Sequence, residues 1–412
     1  MGDYLLRCIE GGEILPEHYT LSCPYHPGFI RTEYKARQLN VHAKEPGLFK
    51  YIDWLPVHSS LPTRAEPVTF ESPQLSRELG LKNLYVTFTG WYPKRGCFAK
   101  TGSFKELEAL PTVVRLRENG GGTLVVASAG NTGRAFAQMA VDFGQPVVLA
   151  VPKRSADSIW TIGSAADGLI QLIAVDGDYS DAIAAADALC REPGYFPEGG
   201  GKNIARRDGM GTVMLSAAVH LGRLPDHYFQ AVGSGTGGIA AYEAAMRLVA
   251  DGRFGSILPK LHLAQNTPFT PMVSAWKERR REIMPSDMPN AKEAVDVVSA
   301  HVLTNRNPPY AVSGGVYDAL SACGGDMYAV SNADAASAAA LFAEAENGTD
   351  IDPAAAVALA SLIEAAENDK INPSDTVIFN CTGGGYNRIF AECAPVKVPV
   401  NITIHPGEKI QL

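Results

Sequence analysis

The stretch CFAKTGSFKELEALP, residues 97–111, places Lys105 just after a Gly-Ser turn, where a helical pattern begins. Ser103 and Glu106 have the S-x-x-E spacing of a capping box, which predicts Ser103 as the N-cap and Lys105 at the second helical position. An ammonium there faces the positive end of the helix dipole, so its neutral form is favoured. A neutral amine is the form a Schiff base requires. Pro111 predicts that the helix kinks or restarts. Taken alone, a first-turn lysine is a solvated surface charge, so Lys105 draws its meaning from the groups that accompany it.

Three apolar runs end in glycine-bearing turns, each a potential anion site because helix N-termini leave N–H groups free. The first turn is Ser128-Ala129-Gly130-Asn131-Thr132-Gly133, where Asn131 and Thr132 add side-chain donors suited to a carboxylate or a polar ring substituent. The second is Gly233-Ser234-Gly235-Thr236-Gly237-Gly238. Its glycines let backbone amides close around a phosphate, and Ser234 and Thr236 supply hydroxyls. Its spacing is not G-x-G-x-x-G, and no acidic residue stands at a strand end about twenty residues on, as a dinucleotide ribose would need. The third is Cys381-Thr382 followed by three glycines, with Thr382 offering one hydroxyl at a strand end. Each turn alone is compatible with simple packing. Together, a lysine amine, a phosphate cradle, an amide-bearing turn and a lone hydroxyl are the parts that pyridoxal phosphate needs.

The elements that must position these groups are legible as alternating patterns. The runs at 123–128, 146–152, 169–175, 227–235, 260–265 and 375–381 predict buried strands, and alanine-rich amphipathic segments predict the helices between them. Such β-α-β alternation means parallel sheet, with ligands held beyond the carboxyl ends of the strands. Residues 1–60 look like a separate ribbon-like appendage. Cys23-Pro-Tyr-His26 has C-x-x-H spacing, but Cys8 is followed by Gly11 and Gly12 and has no close partner, so a metal-free appendage is expected.

The chain of 412 residues exceeds one ordinary core. Its net charge of −8, without a basic tail, argues against nucleic acid as a partner. No apolar stretch approaches a membrane span, and the N-terminus lacks a secretory pattern, so a cytoplasmic location is expected. Seven scattered cysteines are expected to be reduced thiols.

The motifs TGSFK, SAGNTGRA, GSGTGG, IDPAAAVALASL and CTGGG occur here in the order found in fold-type II pyridoxal-phosphate enzymes, the tryptophan synthase β, cysteine synthase and threonine synthase superfamily. The resemblance covers roughly residues 55–395. Within it, the lead-in GWYPKRGCFAKTGSFKELEA and the ribbon-like N-terminus resemble the archaeal cysteate synthases. The implied fold is α/β and tryptophan synthase β-like, with two open twisted domains and the cofactor between them. The expected units are 1–60, then 61–106 with 209–412 as the large cofactor-binding domain, and 107–208 as the small mobile domain. The resemblance implies that Lys105 carries the Schiff base and shuttles the α-proton, that Asn131 bonds the cofactor's ring hydroxyl, and that Gly233 to Gly238 cradle its phosphate. Thr382 would face the pyridine nitrogen, and the Ser128–Thr132 turn would hold the substrate carboxylate. Relatives commonly carry Asp-Arg after the lysine, where this chain has Glu106-Leu107.

The implied reaction is β-replacement of O-phospho-L-serine by sulfite through an aminoacrylate, giving L-cysteate and phosphate on the route to coenzyme M in methanogens. The alternatives are threonine synthesis from O-phosphohomoserine and cysteine synthesis with sulfide. A homo-oligomer, in this family a homotrimer, is implied too. Because both substrates are anions, a basic patch is expected from Lys94, Arg95, Lys100, Lys153, Arg154, Arg206 and Arg207, with Lys100 as a candidate substrate contact.

Overall fold

The computed structural model describes residues 3–128, 130–165 and 168–412. Two sheets dominate it. The larger has six strands in the order Asp326–Val330, Lys260–Asn266, His227–Ala231, Thr376–Cys381, Asn83–Phe88 and Val68–Glu71. All neighbours are parallel except the last, an antiparallel edge. The smaller is wholly parallel, in the order Tyr195–Pro197, Thr123–Ala127, Val147–Pro152, Ile170–Val175 and Ile402–Ile404. Each apolar run expected to be a strand is one. Central strands such as TVIFNC and HYFQA are buried at every position, which is why they read as continuous apolar runs rather than alternating ones. The short edge strands at 195–197 and 402–404 carry too little pattern to be seen in sequence. The second of these brings the C-terminal segment into the smaller sheet, beyond the span of the family motifs.

The helix that carries Lys105 runs unbroken from Lys105 to Glu118, with Pro111 inside it. Proline removes the N–H that would have bonded the carbonyl of Leu107. Helix Ile204–Leu221 crosses at that point, and a side chain on its Gly209 would lie 1.9 Å from the Leu107 oxygen. Only glycine permits this crossing, and the helix carries on through Pro111 rather than restarting there.

At the C-terminal edge of the larger sheet, helix Pro353–Glu367 begins at Asp352, whose carboxylate accepts from the Ala355 N–H at 2.7 Å, with Pro353 in the first turn. Its alanine-rich face packs across the central strands.

The N-terminal segment forms a three-stranded antiparallel sheet, Ile14–Leu15, Tyr4–Cys8 and Ile30–Tyr34. It is anchored on helix Ile204–Leu221: Thr32 and Tyr34 donate to Asp208 at 2.7 and 2.6 Å, and Arg207 donates to the Ile30 carbonyl. No helix among the described residues is long and apolar enough to cross a membrane.

Candidate active site

Lys105 is the first residue of its helix, and the cap residue is Phe104, whose side chain makes no capping bond. The expected capping box is therefore not formed. The Ser103 hydroxyl instead accepts from the Lys105 N–H at 3.3 Å, and the Glu106 carboxylate accepts from the Thr101 N–H. The reason lies outside the local sequence. The Phe104 N–H donates to the Thr382 carbonyl at 2.9 Å, and Ser103 bridges Gly383, so the turn is shaped by the strand end beside it. Thr382 thus sits directly against the lysine turn. It is 3% exposed, and its hydroxyl has no hydrogen-bond partner among the described residues.

Lys105 Nζ lies 3.1 Å from Glu108 Oε2, one turn along the same helix. Glu108 is fully buried and also lies 3.1 Å from Arg206 Nε, while Arg206 donates to Glu198 at 2.6 Å. Burial holds the Lys105 amine below its ordinary basicity; Glu108 opposes that shift and Arg206 adds to it. The lysine is neither a solvated surface charge nor an isolated amine, but the end of a buried chain of alternating charge. Glu108 escaped the sequence reading, although its i+3 spacing from Lys105 was available.

The first glycine turn leads into helix Asn131–Phe143. Ser128 is spent on closing it, since its hydroxyl accepts from the N–H groups of Gly130 and Gly133 at 3.1 and 2.8 Å. Ala129 falls outside the described residues. The N–H groups of Asn131 and Thr132 have no acceptor among the described residues, and neither does the Thr132 hydroxyl. The Asn131 amide reaches Asp352 Oδ2 at 3.4 Å, and its oxygen accepts from Arg134 at 2.6 Å. Arg134, absent from the residues singled out in sequence, also donates to the Thr101 carbonyl and the Tyr386 hydroxyl at 3.1 and 2.9 Å. One buried guanidinium therefore ties the asparagine turn to the lysine turn. Asp352 closes the ring, with its N–H donating to the Gly383 carbonyl at 3.0 Å.

The second glycine turn caps helix Thr236–Asp251. The N–H groups of Gly233, Ser234, Gly235, Gly237 and Gly238 meet no acceptor among the described residues, whereas that of Thr236 is taken by Ser234 Oγ at 3.3 Å. Not all its glycines serve one purpose. A side chain at Gly237 would collide with Gln230, and one at Gly238 with Leu263, so these two let the helix lie close on the sheet. A side chain at Gly233 would meet Leu303 and the Val302 carbonyl, and Val302 also lies against Gly130. The segment 198–206 joins this turn to the lysine, with Gly201 near the Thr236 hydroxyl at one end and Arg206 on Glu108 at the other.

The basic residues do not gather into one patch. Lys100 Nζ pairs with Asp142 at 2.7 Å, about 16 Å along the helix axis from Asn131. Arg95 pairs with Glu346, Arg154 with Asp296, Lys153 with Asp176, and Arg207, buried, with Glu243. Among the seven, Arg206 alone is placed in the lysine's charge chain.

The chain is similar to known proteins over most of its length. Residues 63–383 match the family described as "Pyridoxal-phosphate dependent enzyme". The chain is 64% identical to the curated cysteate synthase of Methanocorpusculum labreanum over 99% of each chain, and 49% identical to that of Methanosarcina acetivorans over the full length of both. Among solved structures it is similar in fold to a fungal L-serine ammonia-lyase from Rhizomucor miehei, with a TM-score of 0.59 and 21% identity over 81% of this chain and 100% of that one. It is likewise similar to diaminopropionate ammonia lyase from Escherichia coli, with a TM-score of 0.58 and 16% identity over 79% of this chain and 86% of that one.

Proposed function

The chain belongs to the cysteate synthase family of pyridoxal-phosphate-dependent enzymes, and from that premise we propose that it joins O-phospho-L-serine to sulfite, releasing L-cysteate and phosphate. The observation that carries this assignment to the site is the buried Lys105 amine, held below its ordinary basicity where the asparagine turn, the Thr382 strand end and the 198–206 segment converge.

The residues present fit the cofactor. Five amides of the Gly233–Gly238 turn have no acceptor of their own among the described residues, which suits a phosphate. The Thr382 hydroxyl is buried and unpartnered, which suits a ring nitrogen that accepts a hydrogen bond without being protonated. Asn131, steadied by Arg134 and Asp352, would offer its amide to the ring hydroxyl. When bound, pyridoxal phosphate supplies an electron sink that acidifies the α carbon of the amino acid.

Lys105 Nζ is the base that takes the α-proton and later returns it. That task needs a free amine near neutral pH, which burial favours. Glu108 is a positioning residue, holding Nζ toward one side and limiting how far its basicity falls. The free N–H groups of Asn131 and Thr132 and the Thr132 hydroxyl hold the substrate carboxylate at the helix N-terminus. Loss of phosphate and entry of sulfite both occur at the β carbon. A neutral hydroxyl at Thr382, in place of an acid, favours that outcome over chemistry requiring a protonated ring.

Incubating the purified holoenzyme with O-phosphoserine and sulfite should give cysteate, identified by mass spectrometry, and Lys105→Ala should abolish it. Cysteine from O-phosphoserine and sulfide at a higher kcat/KM, or threonine from O-phosphohomoserine, would overturn the assignment. Assembly as a homotrimer and a cytoplasmic location belong to the same proposal, and light scattering on the eluting protein tests the first.

A further inference from the structure

The N-terminal sheet brings together four metal-binding groups that no part of the reaction uses. Cys8 ends strand Tyr4–Cys8, Glu13 precedes strand Ile14–Leu15, and Cys23 lies in the loop before strand Ile30–Tyr34. One ligand atom from each lies within 4.8 Å of the others, the only such group among the described residues. His26, three residues after Cys23, brings its Nε2 to 3.0 Å from Glu13 Oε1. We propose that Cys8, Cys23, Glu13 and His26 form a four-ligand site for a zinc-type divalent cation.

Three independent observations point to a cation. Glu13 Oε2 is a buried carboxylate oxygen with no hydrogen-bond partner, beside two buried thiols. An acceptor in that position is costly unless a cation or donor meets it. Cys8 Sγ accepts from the Gly11 N–H at 3.5 Å, so the hairpin turns a backbone donor toward the sulfur. A side chain at Gly11 would lie 2.2 Å from His26 Nε2 and 2.3 Å from Glu13 Oε2, so the ends of both side chains crowd over this position. Two donor groups are thus pressed against one bare backbone position.

The donor set names the metal class. Two sulfurs, one imidazole nitrogen and one carboxylate oxygen suit tetrahedral zinc, and four protein ligands make the site structural rather than catalytic. The sulfurs are buried, while Glu13 and His26 are each 34% exposed, which leaves a path for entry. Binding would lock the Cys8–Glu13 hairpin to the loop before Phe29. That loop abuts Arg207, and its strand meets Asp208, both on helix Ile204–Leu221 beside Arg206. The sequence expectation of a metal-free appendage rested on Cys8 having no near neighbour in the chain, and the hairpin supplies Glu13.

The test is elemental analysis of the full-length holoenzyme purified under reducing conditions, with Cys23→Ala and His26→Ala alongside. Expected are one zinc per chain in the parent, loss of zinc in Cys23→Ala, and at least tenfold weaker retention against a chelator in His26→Ala. Cobalt(II) added to the stripped protein should show thiolate charge-transfer and tetrahedral ligand-field bands, absent in Cys23→Ala. Metal-free protein that stays so when zinc is added, zinc content indifferent to both substitutions, or a Cys8–Cys23 disulfide in the reduced preparation would each overturn the proposal. His26→Ala leaves the buried thiols in place, so it reports even if Cys23→Ala misfolds.

Discussion

Lys105 and Glu108 form an ion pair of 3.1 Å within one turn of a single helix, and the same carboxylate oxygen lies 3.1 Å from Arg206. Two cations compete for one buried anion, so the charge state of the lysine depends on both neighbours. Glu108→Gln removes the influence that raises Lys105, and the pH midpoint for acylation of Lys105 in the cofactor-free protein should move down. Arg206→Gln removes an influence that lowers it, and the midpoint should move up. Peptide mass spectrometry across pH reads both, and shifts of the same sign would remove this pairing from control of the amine.

Thr382 should matter through its hydroxyl alone. Replacement by Val keeps the shape and deletes one hydrogen bond in a buried site, a loss of about 1–2 kcal/mol, or roughly tenfold in kcat. Thr382→Ser should stay within a few-fold of the parent. Steady-state kinetics on the two variants separates a hydroxyl role from packing.

Gly209→Ala should damage the fold and the site together. The added methyl would meet the Leu107 carbonyl at 1.9 Å, which two packed helices can relieve only by moving apart. Overpacking of this kind costs about 1–3 kcal/mol. The expected result is a lower Tm, and a fall in kcat measured well below that Tm, because Lys105 rides on the displaced helix.

Glu106 provides a pH signature. Burial pushes its carboxyl up to about 7 from an ordinary 4.5. The folded protein therefore holds this proton more tightly than the unfolded chain does. Its contribution is fully present below about pH 4.5 and is lost as pH rises to about 7. Glu106→Gln cannot ionise, so its stability relative to the parent should improve across that window, by on the order of 2–3 kcal/mol. Denaturant unfolding at pH 4.5, 6 and 8 measures the trend, and a constant difference would show that Glu106 is already ionised in the fold.

The linear sequence carried the identity of the lysine, the three glycine turns and the strands that end in them. These are local patterns: a glycine-rich run, a buried apolar stretch and a helical start each express their preference within a few residues. It also exposed Thr382 and Asn131, because both stand inside such turns. What it could not show was which charges would meet. Arg134 and Glu198 became parts of the site only when distant segments packed together, Glu108 gained its second partner Arg206 in the same way, and Lys100 left it by pairing with Asp142. The cap of the lysine helix moved by one residue because Thr382 claimed the Phe104 N–H. Cys8 acquired Glu13 and Cys23 as neighbours by strand pairing and a returning loop. Ion pairs and donor sets are set by distances of 3 to 5 Å between groups far apart in the chain, and burial decides their strength. Tertiary structure alone determines both.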